Sequence, residues 1–189
     1  MHKGRLEAFT DGVIAVIITV MVLEMKAPAG AGLTDLAASL PIFITYGLSY
    51  TNIAIFWNNH HHMLQASKRV DGRALWANLF LLFWLSLVPF VIRWMEETGF
   101  ASLPTAGYGF ILAMAAVGYL MLERALIACN GLDSTLAGAV GSKLKEKISL
   151  AAYIVGMGVA FVQPWLALAL YIAVAILWFI PDRRIESAI

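Results

Sequence analysis

Six stretches of this chain, roughly residues 5–25, 35–59, 73–95, 105–128, 145–162 and 165–181, are built almost wholly from Val, Ile, Leu, Ala, Phe, Tyr, Trp, Gly and Met. A helix needs about 20 mostly apolar residues to cross the hydrocarbon of a bilayer. Lipid offers backbone N–H and C=O groups no partners, so a single stretch of this kind can cross only as a helix. The sequence therefore predicts an all-α integral membrane protein of six transmembrane helices. Composition agrees: 61% of the 189 residues are hydrophobic, 13% are charged, and the mean hydropathy is +0.79.

The breaks between the stretches have local causes. KAPAGAGLTD is a Pro and Gly loop ending at Thr34, a suitable N-cap, and SKRVDGR is a polar turn. EETGFASLP and CNGLDSTLAGAVGSK are loops, and Gln163 with Pro164 makes the tight last turn. No segment is long enough for a soluble domain, so residues 1–189 read as one transmembrane domain. The apolar N-terminal stretch lacks the small-residue cleavage site of a signal peptide and reads as a retained helix. Lys and Arg set the orientation. With the N-terminus inside, Lys3, Arg5, Lys68, Arg69, Arg73, Arg124, Lys143, Lys145, Lys147, Arg183 and Arg184 are inside, against Lys26 and Arg93 outside. Both termini are thus expected in the cytoplasm of a cell whose inner (plasma) membrane holds the chain. A net charge of +1 provides no basic surface for nucleic acid. Cys129 stands alone and forms no intrachain disulfide.

The first stretch, RLEAFTDGVIAVIITVMVL, raises a chemical question, because Arg5, Thr10 and Asp11 stand beside an apolar run where ionisable groups are expensive. On a helix at about 100° per residue, Val16, Thr19, Val20 and Leu23 share one stripe, while Asp11 lies roughly 140° from Val16. Asp11 then organises packing against other helices and the stripe faces something else. Donors for the acid stand at the end of the second stretch, in FWNNHHHM, where Trp57, Asn58, Asn59, His60, His61 and His62 meet the membrane boundary. Adjacent residues of a helix point about 100° apart, so the three histidines cannot share one ion unless the helix has ended. Interfacial hydrogen bonding and Trp anchoring explain the cluster, and no metal or other cofactor is expected.

These residues carry a resemblance. Arg5, Phe9, Thr10 and Asp11 read R-x-x-x-F-T-D, followed by a second helix ending in F-W-x-x-H-H and six spans in all. The pattern resembles the bacterial branch of the transmembrane protein 175 family of potassium channels, whose signature is R-x-x-x-F-S-D; Thr10 keeps the hydroxyl of the family's Ser and adds a methyl. The resemblance implies a homotetramer of identical subunits in the lipid bilayer, with the first helix of each lining a central pore. It puts the apolar constriction on Val16, Val20 and Leu23 and ties Thr19 to ion preference. It makes Arg5, Phe9, Thr10 and Asp11 a scaffold held by residues such as Trp57, Asn58 and His61.

The expected function is a potassium-permeable cation channel with a hydrophobic gate, K+ being the permeating ion. The alternatives are a proton-permeable or weakly selective cation channel and a secondary transporter. No T-V-G-Y-G loop presents a carbonyl ring and no Arg-rich helix senses voltage. No nucleophile and base stand at recognisable spacing, so an enzyme is not expected. Taken alone, the stripe reads as lipid-facing surface, and Thr19 as bonding its own helix. Glu24 is either a solvated helix end or one member of an acidic ring at the outer mouth.

Overall fold

The computed structural model describes residues 3–131, 133–139 and 144–179. Its described residues form helices α1 (Lys3–Glu24), α2 (Leu33–Ala38), α3 (Leu40–Gln65), α4 (Gly72–Ser86), α5 (Val88–Glu97), α6 (Ser102–Asn130), α7 (Thr135–Ala139), α8 (Leu144–Val159) and α9 (Pro164–Phe179). Four stretches are long and apolar enough to cross a membrane: Lys3–Glu24, Leu40–Gln65, Gly72–Glu97 and Ser102–Asn130. Over their described residues α8 and α9 are each 16 residues long. At 1.5 Å per residue that is about 24 Å, short of a hydrocarbon core of roughly 30 Å.

The boundaries differ from the sequence reading where a local signal was misjudged. The second segment does not start at residue 35. A separate short helix, α2, ends at Ala38, and Pro41 in the first turn of α3 fits a position where no N–H is needed. Nor does the cap of α2 lie at Thr34: the helix opens after Gly32, whose N–H is taken by Asp35 Oδ2 at 3.0 Å. At its other end α3 runs past residue 59, through all three histidines, to Gln65. The third segment is broken rather than continuous. Pro89 has no N–H to give, so the ladder restarts through Leu87 N–H to Trp84 O at 3.2 Å and Val91 N–H to Leu87 O at 3.1 Å. The Gln163–Pro164 turn stands as read, with Gln163 N–H on Val159 O at 2.8 Å.

Helix α6 is the centre of the subunit, packed on α3, α4, α5, α8 and α9. Small residues allow the close approaches. A Cβ at Gly118 of α6 would stand 2.9 Å from Leu81 Cα of α4, so the two backbones touch there. Gly109 and Gly156 make room for the Tyr171 ring, which also meets the rings of Tyr108 and Tyr153 at 5.8 and 6.0 Å. Tyr108 is fully buried and has Ser49 Oγ at 3.0 Å and Asn52 Nδ2 at 3.4 Å. The Tyr108 hydroxyl is thus satisfied across helices, from α6 to α3. Near the end of α6, Glu123 is turned inward at 3% exposure and the adjacent Arg124 outward. Among the described residues, helix α1 packs mainly on α3, α4 and α5.

Candidate functional site

Leu6, Thr10, Ile14, Ile17 and Met21 are the buried residues of α1. Their spacing of four, four, three and four draws a single stripe, and that stripe is the one packed on the subunit. The opposite side is open. Val16 is 60% exposed and Leu23 81%; Thr19 is exposed and Val20 half-buried. The four residues singled out by the helical wheel thus lie together on the face of α1 that its own subunit does not cover. A groove of about 370 Å³ runs beside this face between α1 and α5, lined by Val16, Val20, Glu24, Phe90 and Arg93 among others.

Two polar clamps hold the buried face. In the first, Thr10, fully buried, accepts from Asn78 Nδ2 of α4 at 2.9 Å, and Asn78 Oδ1 meets His60 Nε2 of α3 at 2.8 Å. This chain ties three helices together in a place where an unpaired amide would be costly. In the second, Trp57 of α3 donates its indole N–H to Asp11 Oδ1 at 2.7 Å. The His61 ring stacks on Trp57 with centroids 5.9 Å apart, bonds Gln65 at 2.8 Å and lies 3.4 Å from Glu7 of α1.

The expected scaffold is therefore brought together in part. Trp57 meets Asp11, but His61 reaches Glu7 instead, because one residue step on a helix turns a side chain by about 100°. Asn58 is exposed and forms no hydrogen bond among the described residues. Thr10 and Asp11 are engaged, whereas Arg5 and Phe9 project on the open side, Phe9 at 52% exposure, with no polar partner for Arg5 among the described residues. Glu7, His60 and Asn78 are the clamp residues that the sequence reading did not assign. Asn78 had a signal: it is the lone amide in GRALWANLFLLFWLS.

Thr19 Oγ1 donates to its own helix, at Val16 O (2.8 Å) and Ala15 O (3.1 Å). The bond consumes the hydroxyl proton and leaves oxygen lone pairs on the open side. At the far end of α1, Glu24 is not an isolated acid. Arg93 Nη1 lies 2.7 Å from it, Arg93 Nε bonds Glu97 at 3.1 Å, and Lys26 reaches Glu97 at 3.3 Å. This network joins α1 to α5 and sets Arg93 and Lys26 against Glu24 and Glu97, two cations against two carboxylates. Among the described residues no group of three or more His, Cys, Asp or Glu side chains converges as a metal site does. His60 turns into the core beside Asn78, whereas the His61 and His62 rings meet each other with centroids 5.9 Å apart.

Comparison with known proteins bears on what this arrangement does. The family profile described as endosomal/lysosomal potassium channel TMEM175 matches residues 5–89, which contain α1, both clamps and the open face. A protein from Chryseobacterium sp. named as a potassium channel is 49% identical over 189 residues, covering all of this chain and 98% of that one. Another so named, from Streptomyces collinus, is 29% identical over 181 residues, 89% of this chain and 87% of its own. Among solved structures, the crystal structure of a lysosomal potassium-selective channel TMEM175 homolog from Chamaesiphon minutus superposes with a TM-score of 0.80 at 25% identity, over 95% of this chain and 97% of that one.

Proposed function

Because the chain belongs to the TMEM175 family of potassium channels, we propose that it conducts K+ through a path walled by the open face of α1, with Val16, Val20 and Leu23 as successive apolar rings. The chain is a multi-pass membrane protein and a potassium-permeable channel, not an enzyme. The supporting observation for the pore wall is the division of α1. One face is fastened to its own subunit by Thr10, Asp11 and the apolar stripe, and the other, uncharged from Gly12 to Leu23, is left for something outside the subunit.

One subunit supplies one such face, so a closed path needs several around an axis, and a homotetramer of six-span subunits answers that need. α8 and α9 then complete the six spans. Both termini lie in the cytoplasm and the chain sits in the cell's inner (plasma) membrane, as the excess of Lys and Arg on one side favours. A narrow apolar ring resists ions because it sheds water, so the barrier is a dry segment rather than a fixed charge, and no cofactor takes part. Thr19 offers oxygen lone pairs that replace some of the ion's hydration. Glu24, held by Arg93, lines the outer mouth as part of a mixed-charge rim. Lipid-bilayer recording of the purified protein under bi-ionic K+ and Na+ tests this reading together with native mass spectrometry. A K+ current from a tetramer is expected; a monomer or dimer as the sole species would remove the shared pore.

A further inference from the structure

Away from α1, the space between α3, α6, α8 and α9 encloses a cavity of about 40 Å³. By volume it holds a few water-sized groups. Its wall is mostly aromatic and aliphatic, but Asn52 and Asn59 of α3 and Glu146 of α8 also line it. Part of the donor capacity of these groups is spent on the protein itself. Asn52 Nδ2 bonds Leu48 O at 3.1 Å, and Asn59 Nδ2 bonds Ile55 O at 2.9 Å. Trp178 gives its N–H to Ser149 Oγ at 2.7 Å, and Ser149 gives its own to Lys145 O at 2.8 Å.

The acceptors of the lining are the amide oxygens of Asn52 and Asn59 and the Glu146 carboxylate, the one charged group of the wall, which forms no ion pair among the described residues; a second N–H of Asn59 and the hydroxyls of Tyr119 and Tyr153 stand beside them. The rings of Tyr119, Tyr153 and Trp178 line the same space, an aromatic wall of the kind that attracts a cation. The occupant that satisfies both is a cation with several N–H donors and a short apolar body. A carboxylate or phosphate would meet the like charge of Glu146 with no cationic side chain in the lining to offset it. A bare alkali ion would leave the aromatic wall unused. From this geometry we infer that the cavity between α3, α6, α8 and α9 binds the head of a small primary ammonium compound, with Glu146 as its counter-charge and Asn52 and Asn59 as acceptors. The site is separate from α1 and does not depend on where the pore lies.

The test is isothermal titration calorimetry of n-butylammonium chloride into the full-length protein in phosphatidylcholine nanodiscs, with n-butanol and empty nanodiscs as controls. Butylammonium is expected to bind roughly tenfold more tightly than butanol, the scale of one charge-assisted hydrogen bond. Glu146→Gln should lower its affinity by a similar factor. Ala116→Leu, which fills the cavity from α6, should remove binding even if Glu146→Gln fails to fold. Repeating the titration in phosphatidylethanolamine nanodiscs identifies the natural source. Unchanged affinity assigns the site to soluble amines, and competitive loss assigns it to the lipid's ammonium headgroup. Equal binding of butanol and butylammonium, or an ammonium affinity indifferent to both substitutions, overturns the proposal.

Discussion

Helices α1 and α6 are both long and apolar, yet they use their surfaces differently. Half of the most apolar 18-residue window of α6 is buried inside the subunit, against 28% of that of α1. α6 is enclosed by α3, α4, α5, α8 and α9, touches α7 as well, and has a glycine where another backbone meets it. α1 is held along one stripe and fixed by two polar clamps, and its remaining face carries Val16, Thr19 and Leu23 outward. Hydropathy alone does not separate the two roles, because lipid and a neighbouring helix reward apolar side chains alike. The separation comes from where the few polar atoms go. α1 places Thr10 and Asp11 on hydrogen bonds to α4 and α3, which leaves the apolar face free to serve an assembly.

The comparison breaks first, and most severely, at the α4–α6 contact. Gly118→Leu is expected to abolish the folded subunit and Gly118→Ala to cost at least the upper part of the about 1–3 kcal/mol typical of overpacking, because the obstacle is the Leu81 backbone and cannot rotate away. Gly12→Ala on α1, where an added Cβ meets nothing within 4 Å, should leave subunit folding unchanged. Thermal melting of the detergent-solubilised proteins, followed by size-exclusion chromatography, reads both. Comparable losses at Gly12 and Gly118 would mean that α1 is as enclosed as α6.

The next effect is on conduction. Leu23→Ala shortens an exposed side chain and touches no packing within the subunit, so it should leave the melting temperature alone and raise K+ current several-fold while relaxing discrimination against Na+. Ile17→Val, on the buried stripe, should instead cost about 0.5–1.5 kcal/mol of stability with little change in current. Equal effects of the two on current would remove α1 as the pore wall.

How far these roles could be read from residues alone follows from the range of the forces involved. The all-helical membrane class and the two faces of α1 are periodic features, and periodicity survives in a single sequence. The Asp11–Trp57 contact was within reach because an acid near one membrane boundary needs a donor at the same boundary. The Thr10–Asn78–His60 chain joins residues 68 and 18 positions apart, and no local pattern names such partners. The same holds for Glu24 and Arg93, 69 positions apart, which pairs an acid that the sequence left as either a solvated helix end or a member of an acidic ring. The continuation of α3 through its histidines was missed because Asn and His are weak helix formers, and their tertiary bonds outweigh that preference.

The first clamp offers a smaller effect. Thr10→Val keeps the shape of the side chain but strands the Asn78 amide, which should cost about 1–3 kcal/mol. Thr10→Ser retains the acceptor and should recover most of it. Melting temperature separates the two variants. If Thr10→Val melts with the parent, the buried chain is not what fastens α1.

The smallest expected effect bears on the open face itself. Thr19 is the sole hydroxyl among its four residues, and its proton is committed to Val16 O and Ala15 O of the same helix. No other helix loses a partner when that hydroxyl is removed, so Thr19→Val should assemble and melt as the parent does, its branched shape being conserved. What it removes is an oxygen whose lone pairs stand on the proposed path. K+ sheds hydration water more cheaply than Na+, so a ring of weak neutral acceptors compensates K+ more fully, and its loss lowers the preference without opening the path. The K+ to Na+ permeability ratio should fall by roughly threefold, equivalent to about 0.67 kcal/mol at 1.4 kcal/mol per tenfold, with a smaller gain in current than Leu23→Ala gives. Thr19→Ser should hold the ratio. Reversal potentials under bi-ionic conditions measure it directly, and an unchanged ratio in Thr19→Val would move selectivity from the hydroxyl to the apolar rings on either side of it.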